Sequence, residues 1–378
     1  MSAPFGYFVH HQGRGHAERA AALVHALPRE RRVTLFCARD DIFPALPPNA
    51  TIVKIPSLFE PPVDAPAALA NAPTPVTLHC APLGWATIAE AVAIITGWFA
   101  RERPALFITD VSAELAQLAR IASVPCVTVL QHGARSDAGH MAAYEGALGV
   151  LAPYHADLEQ PGRPRWMLTK THHAPGLGVE VPAITRDSAR MALNLPLDRQ
   201  IVLAVAGGGG AGTPATPLTL GARAEPDTLW ITIGEVASEW HSTPPGNLRH
   251  MGWVGNPEHW IAAADRVVSS AGNTTVHMIA GLGRPWIVVP EWRYFEEQHW
   301  KARMLDAAGA AVALLHWPSH VDAWADAWTR AAAIDPATQQ RLVEPKAARR
   351  AAAWLEQLGG WADAPAAVAA PLIAEPMA

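Results

Sequence analysis

At 378 residues, half of them hydrophobic, the chain is long enough to bury the cores of two domains. Its net charge is −5, divided as −1 over residues 1–180 and −4 over residues 181–378, so neither half carries the basic surface of a nucleic-acid binder held by phosphate contacts. Cys37, Cys80 and Cys126 stand far apart in apolar sequence without a CxxC pair, which argues against a disulfide framework and for a reducing cytoplasm. No run of about 18 uncharged apolar residues occurs, so no membrane-spanning helix is expected. Residues 81–100 come nearest and are interrupted by Glu90. The apolar stretch 5–9 is too short for a cleavable signal and runs into His10-His11.

Residues 5–9 read as a first strand, His10-His11-Gln12-Gly13-Arg14-Gly15-His16 as a glycine-bearing loop, and 17–27 as a helix ended by Pro28. Strands are expected at 33–37, 52–55, 106–109 and 126–130, with helices at 88–101 and 113–121 and a Pro-rich, loop-dominated connection over 46–75. This alternation indicates a doubly wound α/β domain over 1–180. A linker over 181–197 leads to a second domain over 198–358. That domain opens with strand 199–206 feeding Gly207-Gly208-Gly209-Gly210-Ala211-Gly212. Strands follow at 229–233, 248–251, 266–269, 286–289 and 311–315. Residues 317–358 read as mainly helical, anchored by Trp324, Trp328 and Trp354, and the Ala/Pro-rich tail 359–378 as frayed.

The stretch 266–309 organises the rest. A strand at 266–269 runs into the small-residue turn Ser270-Ala271-Gly272-Asn273, with Thr274 and Thr275 as N-caps. The helix through Ala280 is ended by Gly281 and Gly283, and strand 286–289 is closed by Pro290. This is a βαβ unit whose helix start leaves N–H groups free, a place that suits a phosphate.

Five features recur here in order over about 40 residues. They are Ser270 to Thr275, Gly283-Arg284-Pro285, Val288-Val289-Pro290, Glu297-Gln298 and Gly309-Ala310. Together with Gly13-Arg14-Gly15-His16, they resemble glycosyltransferases of the GT-B fold. The closest likeness is to family 28, which contains the lipid II-forming N-acetylglucosaminyltransferase, and to the related UDP-glycosyltransferases. The resemblance implies two Rossmann-like parallel-sheet domains facing a cleft. It also implies metal-independent, inverting transfer of a hexose from a nucleotide-diphosphate sugar, with UDP as the expected nucleotide. The nucleotide sugar would be a cosubstrate, and no cofactor is expected.

Such transfer needs a stabilised diphosphate, a held sugar and a deprotonated acceptor hydroxyl. Backbone amides at Gly272, Asn273, Thr274 and Thr275, with Ser270, Gly15 and the loop Gly208, Gly209 and Gly210, are the candidates for the diphosphate. Glu297 and Gln298 stand where relatives meet sugar hydroxyls, and Trp253 and Val254 where the base is read. Core packing is the competing reading for Trp253. His277 occupies the place where relatives carry a ribose-binding Glu. His16 is the candidate general base, against a purely helix-capping role. Asp110, at a strand end, either orients His16 or binds acceptor, and His11 and His132 are assigned to the acceptor side. Helix or turn capping competes for Asp110 and His132. Lys301 and Arg303 read as a solvated helix face, with a contribution of charge to the cleft as the alternative.

A small-molecule or lipid-linked acceptor is expected, with peripheral contact at the inner face of the membrane in the lipid case. Residues 81–100 could offer an apolar face to it, although an ordinary buried helix is the simpler reading. Two other readings share the fold, a nucleotide-sugar epimerase and a non-catalytic sugar-nucleotide binding protein. The epimerase lacks a carboxylate cluster on both loops. An NAD-dependent oxidoreductase fits Gly207-x-Gly209-x-x-Gly212 formally. However, the Pro-rich 213–217 follows, where that fingerprint requires a helix.

Overall fold

The structure, a computed structural model, describes residues 2–207, 210, 212–237 and 243–360. Gly208 and Gly209, named above for the donor side, lie outside the described residues. The first sheet holds β1 (Phe5–Phe8), β2 (Val33–Cys37), β3 (Ala50–Lys54), β4 (Leu106–Asp110), β5 (Cys126–Val129), β6 (Gly149–Ala152) and β7 (Thr171–His173). Its order is β3-β2-β1-β4-β5-β6-β7, with every neighbour pair parallel. All four residues of β1 are buried, as expected of a central strand covered on both faces. A Cβ on Gly6 would stand 2.7 Å from Phe107 and 2.8 Å from Trp98, so only glycine lets the helix Ala86–Glu102 lie this close. That helix buries Ala91, Ile95, Trp98 and Phe99 against the sheet, the ordinary packing of an amphipathic helix. Among the described residues no helix is long and apolar enough to cross a membrane.

The second sheet is built from β8 (Ile201–Val205), β10 (Leu229–Ile233), β12 (Leu248–His250), β13 (Arg266–Ser269), β14 (Trp286–Val288) and β15 (Val312–Ala313). Its order is β12-β10-β8-β13-β14-β15, again all parallel. The strand pair β9 (Thr213–Pro214) and β11 (Val236–Ala237) stands apart from it. Trp324 and Trp328, on the helix Val321–Ala332, pack edge-on to Trp230 of β10 at 5.2 and 6.4 Å between ring centres. Pro217 does not prevent a helix: Ala215–Ala224 is helical, because a proline in the first turn gives up only an N–H that has no partner there. The strand Thr213–Pro214 still separates this helix from the glycine loop.

Two expected boundaries shift. Residues 181–197 contain the helix Arg186–Ala192, tied to the second domain through fully buried Arg190, which donates to Asp265 at 2.5 Å and to the Ala263 carbonyl at 2.9 Å. The last helix, Ala347–Gly360, returns to the first domain, so residues 347–358 do not belong to the second. Its stripe of Ala351, Ala352, Leu355 and Leu358 is buried in one core with Phe5, Tyr7 and Leu23. Arg31 clamps Glu356 through two bonds of 2.7 and 2.8 Å. Gly359 and Gly360 close this helix rather than open a frayed tail.

Candidate active site

The chain leaves β1, turns at Gly13 (φ 99°) and enters the helix Arg14–Ala26, whose first turn has no side-chain cap. That turn carries His16 to Asp110, the last residue of β4, with Nδ1 3.1 Å from Oδ1. Asp110 is fully buried, while the His16 side chain keeps 17% of its surface exposed. One turn further on, Arg19 donates from Nη2 to both carboxylate oxygens at 2.9 and 2.8 Å and from Nε at 3.2 Å. Burial by itself would raise the Asp110 carboxyl. The Arg19 guanidinium, and then His16, outweigh it and hold the group well below the usual carboxylate range. Arg19 Nη2 also approaches His16 Nδ1, at 3.0 Å. With that guanidinium committed to the carboxylate, the arrangement that serves all three groups has Nδ1–H donating to Asp110. Nε2 is then a free lone pair.

Around this pair, His10 stacks on Phe59 at 4.2 Å and accepts from the Gln12 N–H at 3.1 Å. Burial, and next His16, push its pKa down to about 3, so it is neutral. His11 meets Glu60 at 2.9 Å on the wall of an open groove of about 870 Å³, lined also by Gln12, Arg39, Lys54 and Ser57. This groove belongs to the first domain and adjoins the His16 loop.

Across the cleft, the helix Asn273–Leu282 follows β13. Its N-cap is Gly272, not Thr274 or Thr275, and no side chain caps it. The N–H groups of Asn273, Thr274 and Thr275 therefore have no helical acceptor. Gly281 lies inside the helix, and Gly283 alone caps its end with φ 63°. A Cβ on Gly15 would lie 3.1 Å from Thr274 Oγ1, so the starts of the Arg14 and Asn273 helices face each other. Both direct the positive end of a helix dipole at the same space.

Ser270 Oγ is buried, has no partner among the described residues and lies 3.4 Å from where a Gly207 Cβ would be. Gln298 is buried, and its Oε1 accepts from Ala271 N at 3.0 Å and Glu291 N at 2.9 Å. Its carbonyl therefore pins the turn after β13 to the turn after β14 instead of waiting for a sugar hydroxyl. Gly210 reaches the same place, since a Cβ there would overlap the Glu291 carboxylate. Glu297 faces the first domain, 3.5 Å from Arg135 and 3.7 Å from Lys301. The Gln131 carboxamide, with its nitrogen turned inward, donates to it at 3.0 Å. Trp253 is 65% exposed beyond Gly252 (φ 66°), which removes the core reading, and Val254 packs at the core edge.

Three further expectations fail. His277 is fully buried and donates from Nδ1 to the Asn273 carbonyl at 2.8 Å. It lies beneath the helix start rather than at a ribose edge, and burial pushes its pKa down to about 4. His132 is also fully buried, with Nε2 2.6 Å from the Leu158 carbonyl and its ring 4.2 Å from Tyr154. It is a core residue without access to an acceptor. Lys301 is 3% exposed instead of solvated, whereas Arg303 is exposed and rests on Trp300.

The structure adds residues that spacing did not point to. Arg19 shares a helix face with His16 and so was within reach of a sequence argument. Arg135 and Phe295 meet only through the fold, with the guanidinium 4.4 Å over the ring and Phe295 O accepting from Ala134 N at 2.7 Å. Phe295 and Glu296 both adopt positive φ, 62° and 55°, which tightens the chain into the Glu297 helix. Among the described residues one group, His79, Asp137 and His140, brings potential metal ligands within 4.8 Å of one another. Asp137 and His140 already engage each other. His140 Nδ1 donates to Asp137 at 2.6 Å, and the Arg135 guanidinium, 3.4 Å from His140 Nε2, disfavours a second cation.

Two parallel-sheet α/β domains facing each other across such a cleft constitute the GT-B fold, and solved glycosyltransferases share it over nearly the whole chain. A UDP-glucosyltransferase from Polygonum tinctorium, capable of glucosylating indoxyl, superposes with a TM-score of 0.65 at 13% identity over 95% of this chain and 100% of its own. MurG of Acinetobacter baumannii gives 0.59 at 13% over 94% and 99%. No protein-family model matches the chain. In sequence it is similar to an enzyme of Serratia proteamaculans, the UDP-N-acetylglucosamine–N-acetylmuramyl-(pentapeptide) pyrophosphoryl-undecaprenol N-acetylglucosamine transferase. They are 32% identical over 189 residues, 44% of this chain and 52% of that protein. The chain thus spans about half the length of that relative.

Proposed function

We propose that the protein is a glycosyltransferase that moves a hexose from a UDP-sugar to an acceptor hydroxyl with inversion. The observation that carries this reading is the buried Asp110–His16 pair facing the uncapped start of the Asn273 helix. In this reading His16 Nε2 takes the proton from the acceptor hydroxyl as its oxygen attacks the anomeric carbon. Asp110 stabilises the resulting imidazolium and fixes its tautomer. The bond to the diphosphate breaks on the opposite face of the sugar, and the charge grows on oxygens held by the amides of Asn273, Thr274 and Thr275. Glu297 accepts from sugar hydroxyls, and Trp253 flanks the base. Uridine is favoured by the sequence relatives.

No metal enters this scheme, because main-chain donors supply the positive field. The apolar face of the helix Ala86–Glu102 is spent on the sheet, which favours a small-molecule acceptor over docking to a membrane through that helix. Isothermal titration with UDP, with and without EDTA, should give the same dissociation constant. His16→Ala should keep that constant and lose turnover of a UDP-sugar and acceptor panel. Unchanged turnover would remove His16 from the chemistry and leave a binding protein.

A further inference from the structure

Lys301 is buried at the junction of the two domains, on the Glu297 helix one turn beyond Glu297. Its Nζ makes no hydrogen bond among the described residues. Its nearest carboxylate oxygen, on Glu297, is 3.7 Å away, and the same carboxylate faces Arg135 at 3.5 Å. The other buried cations nearby are matched, Arg19 by Asp110 at 2.8 Å and Arg163 by Glu159 at 2.5 Å. Burial keeps the His132 and His277 imidazoles neutral. Arg135 and Lys301 therefore share the Glu297 carboxylate, and the buried ammonium has none to itself. Taking such a charge out of water is costly unless something compensates it. Burial, opposed by Glu297, weakens the hold of Lys301 on its proton, and Arg19 adds to that.

Two further buried nitrogens, His132 Nδ1 and His277 Nε2, have no partner among the described residues, and both rings lie in the core. Each imidazole donates through its other nitrogen, so both are acceptors. A ligand that brings one anionic group would compensate the ammonium.

We propose that Lys301 anchors an anionic group of the bound donor, either its phosphate or a carboxylate on its sugar. This rests on reading the cleft as a nucleotide-sugar site, and it assigns to Lys301 a selectivity that the main-chain amides do not supply. Calorimetry on the full chain would compare wild type, Lys301→Met and Lys301→Arg, with inorganic pyrophosphate, uridine, UDP, UDP-glucose and UDP-glucuronic acid as probes. A charge-assisted contact predicts a loss of about 10- to 100-fold in Lys301→Met, largely recovered in Lys301→Arg. Loss for pyrophosphate and UDP identifies the phosphate. Loss confined to UDP-glucuronic acid identifies the sugar carboxylate.

Uridine affinity should not change, and Lys301→Met should melt no lower than wild type, because an uncompensated charge is being removed. Equal binding of every probe by wild type and Lys301→Met overturns the proposal. So does a large fall in melting temperature with unchanged affinities, which would mark Lys301 as structural. A wild type that binds pyrophosphate but no nucleotide would overturn the UDP reading while still testing Lys301. One that binds none of the probes overturns both.

Discussion

Replacing Asp110 by Asn keeps the shape of the side chain and removes its charge. Asp110 is fully buried and Arg19 is 2% exposed, so the substitution leaves a guanidinium in the core without its counter-ion. Breaking a buried pair from one side costs about 3–5 kcal/mol. For a domain of this size each kcal/mol moves the midpoint by about 2–4 °C, so the first domain should melt about 6–20 °C lower. Turnover should fall independently, by about 10²- to 10⁴-fold, because a carboxamide no longer stabilises the His16 imidazolium or enforces the Nδ1–H tautomer. The double variant Arg19→Met/Asp110→Asn separates these effects. Removing both charges should restore most of the melting temperature and none of the turnover. Calorimetric melts paired with initial rates on a UDP-sugar would read both quantities. Recovery of turnover in the double variant, or wild-type rates in Asp110→Asn, would refute the assignment of Asp110 as the partner of His16.

Gln298→Leu should cost about 2–4 kcal/mol and loosen the donor side, since it strips the shared acceptor from two backbone N–H groups, whereas Gln298→Glu should be nearly neutral. Denaturant melts of both variants check this, and equal stabilities would contradict the pinning role. Gly15→Val should weaken UDP binding by more than about 10-fold with little change in stability, because a Cβ there already sits 3.1 Å from Thr274 Oγ1. Titration would show it, and unaltered affinity would mean the two helix starts do not meet around the ligand. His277 titrates near 4 in the fold against 6.5 unfolded, so the unfolded chain takes up its proton first as pH falls. Its contribution is fully present above about pH 6.5 and is lost on the way down to about 4, amounting to about 3 kcal/mol. His277→Leu should flatten the pH dependence of the melting temperature over that range, and an identical slope would show that the proton goes elsewhere.

Both sheets were legible because buried parallel strands read as apolar runs: 33–37, 229–233 and 266–269 fall where expected. β6 and β7 were missed: β6, Gly149–Ala152, is apolar and buried but only four residues long and opened by a glycine, and β7 is the polar edge Thr171–His173. Asp110 and His16 could be named from their places at a strand end and a helix start. Their 3.1 Å contact follows from the sheet, where β1 and β4 are neighbours across 100 residues of sequence. His132 and His277 misled for a common reason. A histidine after a strand or within a helix looks polar in sequence, and only the fold shows one of its nitrogens turned to a carbonyl in the core. Lys301 misled in the opposite direction, since nothing local distinguishes a buried lysine from a solvated one.

The return of the helix Ala347–Gly360 to the first sheet bears on how the molecule is made. Residues 181–346 are continuous and hold all six strands of their own sheet. The amino-terminal half leaves the ribosome first, yet Phe5 and its neighbours wait for Leu355 and Leu358, among the last residues of the described chain. The half that is begun earliest is therefore completed last, and shortening the chain at its carboxyl end should damage the opposite end of the sequence.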